Sequence, residues 1–465
     1  MQKKVQSAVI LDAGKGSRLW PYAQIRSKGM IPIAGKPLLR HLSDGLRAIG
    51  ITEIVIVAGS FVQEIRREFR ADAGVAVLED KNPRGSAFSL LKAKELLLSS
   101  QGFLLLYSDV AMAPAELLAL KEAYEACGQA AALLAPLKNV WAPQRSREHI
   151  VCGIESGYVA DILGHPREKG SYFFAGFAFA PSIFGAAEAN GGRFVQTEVG
   201  MMPPLEGFLE MTLADMIADG EKILAVEAKR HVVDIDKPWQ ILEANALFST
   251  LLCGALTETV LGEGASVHPS AMAEGFVSLG KGSRIGRNVI IEGNVMIGEN
   301  TVVENGAILK GGVIIGSNCE ICNGCLLEEN AAVGNRCYVG HGAELNGILF
   351  DNAFLYHYME IYGIVGENVD IGAATVCGSL RFDDSVTLQR VKGHGEPEQP
   401  YSDAVFFGDY CRTGVNAIIM PGVKIGVYSV VGAGVNLLRD LEDHTLIYAE
   451  QTQVKKAWGP EKYGW

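Results

Sequence analysis

Two rhythms of apolar and polar positions divide the chain. Up to about residue 235, short apolar runs alternate with amphipathic stretches. VQSAVIL, TEIVIVAG and GFLLLYSD have the uninterrupted apolar character of buried strands. PLLRHLSDGLRAIG, SFVQEIRREF and SAFSLLKAKELLLSS have helical spacing and fall between them. This alternation predicts a mostly parallel sheet with helices on both faces. Such sheets bind ligands outside the carboxyl ends of their strands. KPWQILEANALFSTLLCGAL, from Lys237, predicts a connecting helix.

From Val267 the period becomes six. Fourteen windows of six residues follow without a gap to Phe350. Their first positions include Ile285, Ile291, Ile297, Val303, Leu309, Ile315, Ile321, Leu327, Val333, Val339 and Leu345. Their fifth positions are mostly small: Ser283, Thr301, Ala307, Cys319, Cys325, Ala331, Cys337 and Ala343 among them. A second run spans Phe407 to Asn436. A six-residue repeat is one short strand and one turn, stacked as coils of a parallel β-helix. The large residue fills the interior of the prism and the small one fills its corner. The segment Cys377 to Val405 breaks the frame and reads as a loop extruded from the prism, a usual place for substrate contacts. The reading gives four parts: 1–235, a helical linker 236–260, the coils 261–445, and a tail 446–465.

The chain has 465 residues, enough for two domains, and 48% of them are apolar, enough for a core in each. Its net charge of 41 − 53 = −12 makes nucleic acid and anionic membranes poor partners, so anionic substrates need local basic groups. No run approaches a membrane span, and the first residues read as a strand rather than a leader, so a cytoplasmic protein is expected. Nine scattered cysteines do not suggest a disulfide framework. CEICNGC offers CxxCxxC spacing, yet Cys319 and Cys325 share the corner phase of Cys337, so packing explains them better than a metal.

The chemistry concentrates in LDAGKGSRLWPYAQIRSKGMIPIAGKPLL, from Leu11 to Leu39. A strand ends and a turn follows with Gly14, Gly16, Ser17 and Arg18. Glycines let backbone N–H groups approach phosphate, and Arg18 and Lys28 add the positive charge that phosphoryl chemistry needs. This stretch closely resembles the signature of sugar-phosphate nucleotidyltransferases, roughly LAAGxGTRLxPxTxxxPKxxxPVxGKPL. With the hexapeptide repeats, the chain resembles the bifunctional uridylyltransferase/acetyltransferases of the archaeal type. The resemblance spans nearly the full length.

It implies an α/β Rossmann-like nucleotidyltransferase domain followed by a left-handed parallel β-helix, assembled as a homotrimer. It implies that Leu11, Ala13, Gly14, Gly16, Ser17, Gly85 and Ser86 bind the nucleotide, with Arg18 and Lys28 on the triphosphate. It implies Mg²⁺ on Asp109 and Asp234, with Asp236 as the alternative second ligand; two carboxylates suit that ion. Substrates would be a nucleoside triphosphate, UTP by resemblance, and a sugar 1-phosphate. In the C-terminal half, His357 falls on the general base of acetyl transfer from acetyl-CoA, with Ser379, Arg381 and Lys392 at the acceptor. Lys455, Lys456 and Trp458 meet either coenzyme A or solvent.

The chain departs from the family pattern at several positions. Asp12 replaces an alanine and is expected either to repel phosphate or to bind a base or ribose donor. Ser27 replaces a proline. Phe174 and Gly164 stand where sugar-binding Asn and Glu are expected. Asn346 replaces a phosphate-binding lysine and Ser379 an asparagine. A nucleotidyltransferase with an inert, trimerising β-helix, and a non-catalytic assembly homologue, therefore remain alternatives.

Overall fold

The computed structural model describes residues 4–137, 149–164, 171–194, 205–396 and 400–462. The N-terminal half is built on a nine-stranded sheet. Its order is Val75–Glu79, Glu53–Ala58, Ser7–Asp12, Phe103–Tyr107, Tyr172–Phe179, Ala131–Pro136, Leu224–Glu227, Tyr158–Gly164 and Ile150–Glu155. The first four strands are parallel. Alternate residues of Ser7–Asp12 enter different cores, Ala8 and Ile10 on one side and Val9 and Leu11 on the other, so both faces are covered.

The sheet is less parallel than its rhythm suggests. Strand Tyr172–Phe179 runs antiparallel to all three strands it pairs with, and Tyr158–Gly164 runs antiparallel to both of its own. Two residues separate strands Ile150–Glu155 and Tyr158–Gly164, too few for the crossover that a parallel pair requires.

The C-terminal half is a left-handed parallel β-helix. Its first paired strand is Val260–Leu261 and its last is Leu446–Ile447. Every first-position residue named above lies in one continuous interior core, together with the small apolar corner residues, and Ser283 and Thr301 are buried at the same phase. On the first face, Ile285, Val303, Ile321 and Val339 stack in register, one coil apart. Two later coils are two residues shorter, taking Val339 to Leu355 and Leu355 to Ile371. Strands Glu344–Leu349 and Glu360–Val365 run straight through a corner that other coils turn. Gly347 and Gly363 make this possible, at φ of 145° and 138°. A Cβ on Gly347 would lie 1.9 Å from the Gly363 carbonyl oxygen, and one on Gly363 would lie 1.9 Å from that of Val405.

The two halves share a core. Strands of the third face turn apolar residues outward: Ile314, Ala332, Ile348, Ile364 and Phe406. These pack with Tyr22, Ile31, Ile33 and the connecting helix Pro238–Gly254. The helix is pinned by Asn245, which accepts from the Ala34 N–H at 2.8 Å and donates to the Asn330 carbonyl at 2.8 Å. The signature loop is pinned by three polar contacts. The Trp20 indole N–H donates to Asp443 at 2.9 Å, and the Tyr22 hydroxyl donates to the Ile364 carbonyl at 3.0 Å. Buried Arg26 pairs with Asp409 at 2.9 Å and Glu367 at 3.0 Å.

Removing one partner of a buried ion pair strands the other charge. Arg26→Met should therefore cost about 3 kcal/mol of unfolding free energy, read from denaturant midpoints; an unchanged midpoint would contradict the joint. His41 gives a second check. It stacks on Phe248 of the connecting helix at 4.1 Å, and its Nε2–H donates to the Ile33 carbonyl at 2.7 Å. Burial pushes its imidazole down to about 4 from 6.5, against that hydrogen bond, which favours the protonated ring. As pH falls, the unfolded chain takes the proton first, so this stability is present above pH 6.5 and is lost between 6.5 and 4. The loss should reach on the order of 3 kcal/mol, and His41→Gln should flatten the pH dependence of unfolding in that window.

Candidate functional site

The carboxyl edge of the parallel strands gathers the N-terminal candidates. The turn after Ser7–Asp12 carries Gly14, Gly16, Ser17 and Arg18, and the turn after Phe103–Tyr107 carries Asp109. A two-residue ladder, Val233 to Ala111 and Asp234 to Val110, brings the third acidic segment alongside. The Ile235 N–H donates to the Asp109 carbonyl at 2.8 Å and fixes the register. Asp109 thus converges with Asp234 and Asp236, which lie far from it along the chain.

Lys28 sits among these acids. Its ammonium lies 2.8 Å from Asp109 and 3.6 Å from Asp236, and Arg18 lies 3.0 Å from Asp236. Gly16, at φ 61°, gives room for the lysine stem: a Cβ there would stand 3.1 Å from Lys28 Cγ. Gly14 faces open space, as a backbone that must meet a ligand requires. Burial would depress the Lys28 ammonium, but Asp109, Asp236 and Asp234 outweigh it and hold it protonated above its ordinary range. Asp109 is raised, first by burial and then by Asp234, with Lys28 opposing. Burial also pushes Asp234 upward, yet His149, Lys28 and Arg18 together hold it below its ordinary value.

His149 is a site residue that sequence reading passed over. Its Nδ1 lies 3.0 Å from Asp234, and its ring stacks on Phe173 at 4.5 Å. It stands in no motif; an aromatic neighbour to a lone histidine is too weak a signal. Phe174, at the expected place of an asparagine, is buried against Phe177 at 5.4 Å and offers no hydrogen bond to a sugar.

Gly85 and Ser86 open the helix Ser86–Lys92 at the same edge. Gly85 has φ 100°, and a Cβ would fall 2.4 Å from the Gly207 carbonyl oxygen. The Ser86 hydroxyl accepts the Leu209 N–H at 2.8 Å, so it is engaged in tying two helices together. Leu11 and Ala13 are buried beside the turn.

Asp12 does not behave as expected. Its carboxylate is buried and turned to donors of the protein itself. Oδ1 accepts the Gly29 N–H at 3.1 Å and the Ser108 hydroxyl at 2.5 Å, and burial pushes the group up to about 6. The strand alternation explains this, since Leu11 and Asp12 must face opposite sides.

The C-terminal candidates divide between two corners of the prism. His357 lies between first-face strand Phe354–Leu355 and second-face strand Glu360–Val365, exposed, with no side-chain hydrogen bond among the described residues. Ser379, Arg381 and Lys392 lie on the extruded loop, between Val376–Cys377 on the second face and Val405–Phe407 on the third. Arg381 is exposed and held by Asp383 at 3.1 Å, and Lys392 sits at the tip of a small hairpin. The loop packs on the third face and reaches the start of the connecting helix: Gln389 accepts from Lys424 Nζ at 2.6 Å, and Glu396 pairs with Lys237 at 2.7 Å. One chain therefore does not bring His357 and the loop together. Asn346 sits in the strand Glu344–Leu349, and Lys455, Lys456 and Trp458 are exposed.

Cys319 and Cys325 point into the prism with Cys337. Cys322 lies beside Glu304 and Glu320, with its sulfur 3.8 Å from Glu320 Oε1. No helix among the described residues is long and apolar enough to cross a membrane.

Comparison with known proteins agrees with this layout. Residues 8–193 match the MobA-like NTP transferase domain, and 294–329 match the bacterial transferase hexapeptide repeats. "Bifunctional protein GlmU" of Methanococcus maripaludis strain C7 is 31% identical over 460 residues, covering 96% of this chain and 98% of the relative. The Methanocaldococcus jannaschii protein of that name is 27% identical over 449 residues, covering 95% and 97%. A "bifunctional sugar-1-phosphate nucleotidylyltransferase/acetyltransferase" of Sulfurisphaera tokodaii is 24% identical, covering 93% and 98%. With both halves matched in order and nearly end to end, the chain belongs to the family of the bifunctional GlmU proteins, transferases in which a nucleotidyltransferase domain precedes a hexapeptide β-helix.

Proposed function

We propose that the N-terminal half transfers a nucleotidyl group from a nucleoside triphosphate to a sugar 1-phosphate. The observation that carries this is the pairing of Arg18 and Lys28 with Asp109 and Asp236 at a glycine-lined strand exit. A sugar phosphate oxygen attacks the α-phosphorus; the bond to the bridging oxygen breaks and pyrophosphate leaves. Backbone N–H groups of the Gly14–Ser17 turn hold the phosphates, with Leu11, Ala13, Gly85 and Ser86 about the nucleoside. Lys28, kept protonated by its acidic neighbours, turns to the oxygens on which negative charge accumulates, and Arg18 does the same from the rim. The acidic donor set fits a hard divalent ion: Asp109 and Asp234 would hold Mg²⁺, with buried Asp236, whose Oδ2 lies 3.0 Å from Arg18 Nε, as the alternative to Asp234. Bound there, the ion would neutralise phosphate charge. UTP and N-acetylglucosamine 1-phosphate, or a related sugar 1-phosphate, are the substrates this reading favours, in a cytoplasmic enzyme.

For the C-terminal half we propose acetyl transfer from acetyl-CoA to an amino-sugar phosphate, with His357 taking the amine proton. Because His357 and the loop bearing Ser379, Arg381 and Lys392 occupy different corners, a second copy must supply the loop, and a homotrimer about the prism axis does so. The docking of Glu396 on Lys237 favours a second reading, in which the β-helix assembles the trimer without acyl transfer.

Asp109→Asn should lower pyrophosphate release, assayed with UTP, dTTP, GTP and CTP against several sugar 1-phosphates, by about 100-fold or more while the trimer persists; unchanged turnover would refute the metal assignment. His357→Ala should abolish thiol release from acetyl-CoA with glucosamine 1-phosphate. Equal rates in both proteins would leave the second reading standing.

A further inference from the structure

The Lys28 loop and the Asp109 turn are separate stretches of chain, yet their charged tips meet at 2.8 Å. One buried carboxylate joins them. Asp12 is only 3% exposed, and its Oδ1 takes both ties, the Gly29 N–H from the residue after Lys28 and the Ser108 hydroxyl from the residue before Asp109. The Ser108 N–H also donates to the Leu11 carbonyl at 3.0 Å, so that turn is fixed to the strand end on backbone and side chain alike. Position 29 admits only glycine in this arrangement: a Cβ would lie 2.9 Å from Asp12 Oδ1 and 2.5 Å from Leu39 Cγ. Asp12 Oδ2 is buried toward the hydroxyl of Ser27, which also favours the carboxylate, while the Gly29 and Ser108 ties both end on Oδ1.

We propose that Asp12 is a positioning residue which sets the spacing between the Lys28 ammonium and the Asp109 carboxylate, and thereby the rate of nucleotidyl transfer. It touches no substrate; it acts through Gly29 and Ser108. This rests on the nucleotidyltransferase reading above for its catalytic consequence, though not for its structural one. Because both ties end on Oδ1, an amide can keep them: Asp12→Asn retains the acceptor and places an N–H₂ beside Ser27. Asp12→Ala strands two buried donors and frees the loop from the turn.

The test has two readouts. In pyrophosphate release with UTP and a sugar 1-phosphate, D12A should lose about 10- to 100-fold in kcat, more than it changes KM, while D12N stays within a few-fold of wild type. In hydrogen exchange, the Gly29 amide should open at least about 10-fold faster in D12A and near the wild-type rate in D12N. Ser108→Ala, which removes one tie, should fall between them and serves if D12A fails to fold. D12A exchanging and turning over like wild type would overturn the proposal, and so would D12N as impaired as D12A. A wild-type protein that releases no pyrophosphate from any triphosphate would sink the nucleotidyltransferase reading, and the exchange rates would still decide the role of Asp12 in tying the loop.

Discussion

Three aspartates crowd one strand exit, and two cations keep them there. Asp109, Asp234 and Asp236 would repel each other in a partly buried cleft, and burial alone would push protons onto them. Lys28 and Arg18 offset that cost, and in doing so they are held beside the glycine-lined strand exit. In the reaction proposed above the same charges would serve two states: cation against carboxylate, and cation against phosphate once a metal holds the acids. The site is pre-organised by internal ion pairs rather than by empty space, and this is why its parts need firm backing from behind.

That backing comes from both halves of the molecule. Asp12 holds the Lys28 loop to the sheet, while Arg26, two residues before Lys28, anchors the loop to Asp409 and Glu367 of the β-helix. A face of the prism that would otherwise be exposed is covered by the signature loop and the connecting helix. Among the described residues the N-terminal half covers the third face, and His357 lies at the corner between the first and second. The extruded loop sits on the far edge of the second face, which is where a neighbouring copy would have to receive it.

The interior of the β-helix was readable because a large residue every sixth position has no other geometric use. The Leu11–Leu39 turn was readable because glycines, cations and strand end fall in one short stretch. The convergence of Asp109 with Asp234 depended on resemblance, since a two-residue ladder leaves almost no mark on sequence. His149 and the inward aim of Asp12 were not visible: each depends on a partner brought near by folding. The covered third face did leave a trace. Along the covered stretch the residue before the interior position is apolar, as in Ile314–Ile315, Ala332–Val333, Ile348–Leu349, Ile364–Val365 and Phe406–Phe407, whereas Ser278 and Lys424 take that place in coils toward either end. On the first face the equivalent residues include Arg284, Glu320, Asp370 and Arg412. The short coils at Gly347 and Gly363 shifted the six-residue frame and hid this pattern.

The most direct measurement is a crystal structure of the protein with a non-hydrolysable triphosphate and Mg²⁺. The account predicts an ion between Asp109 and a second aspartate, Arg18 released from Asp236, and Lys28 turned from Asp109 to phosphate oxygens. A bound nucleotide lying elsewhere, with the Lys28 and Arg18 ion pairs intact, would contradict it.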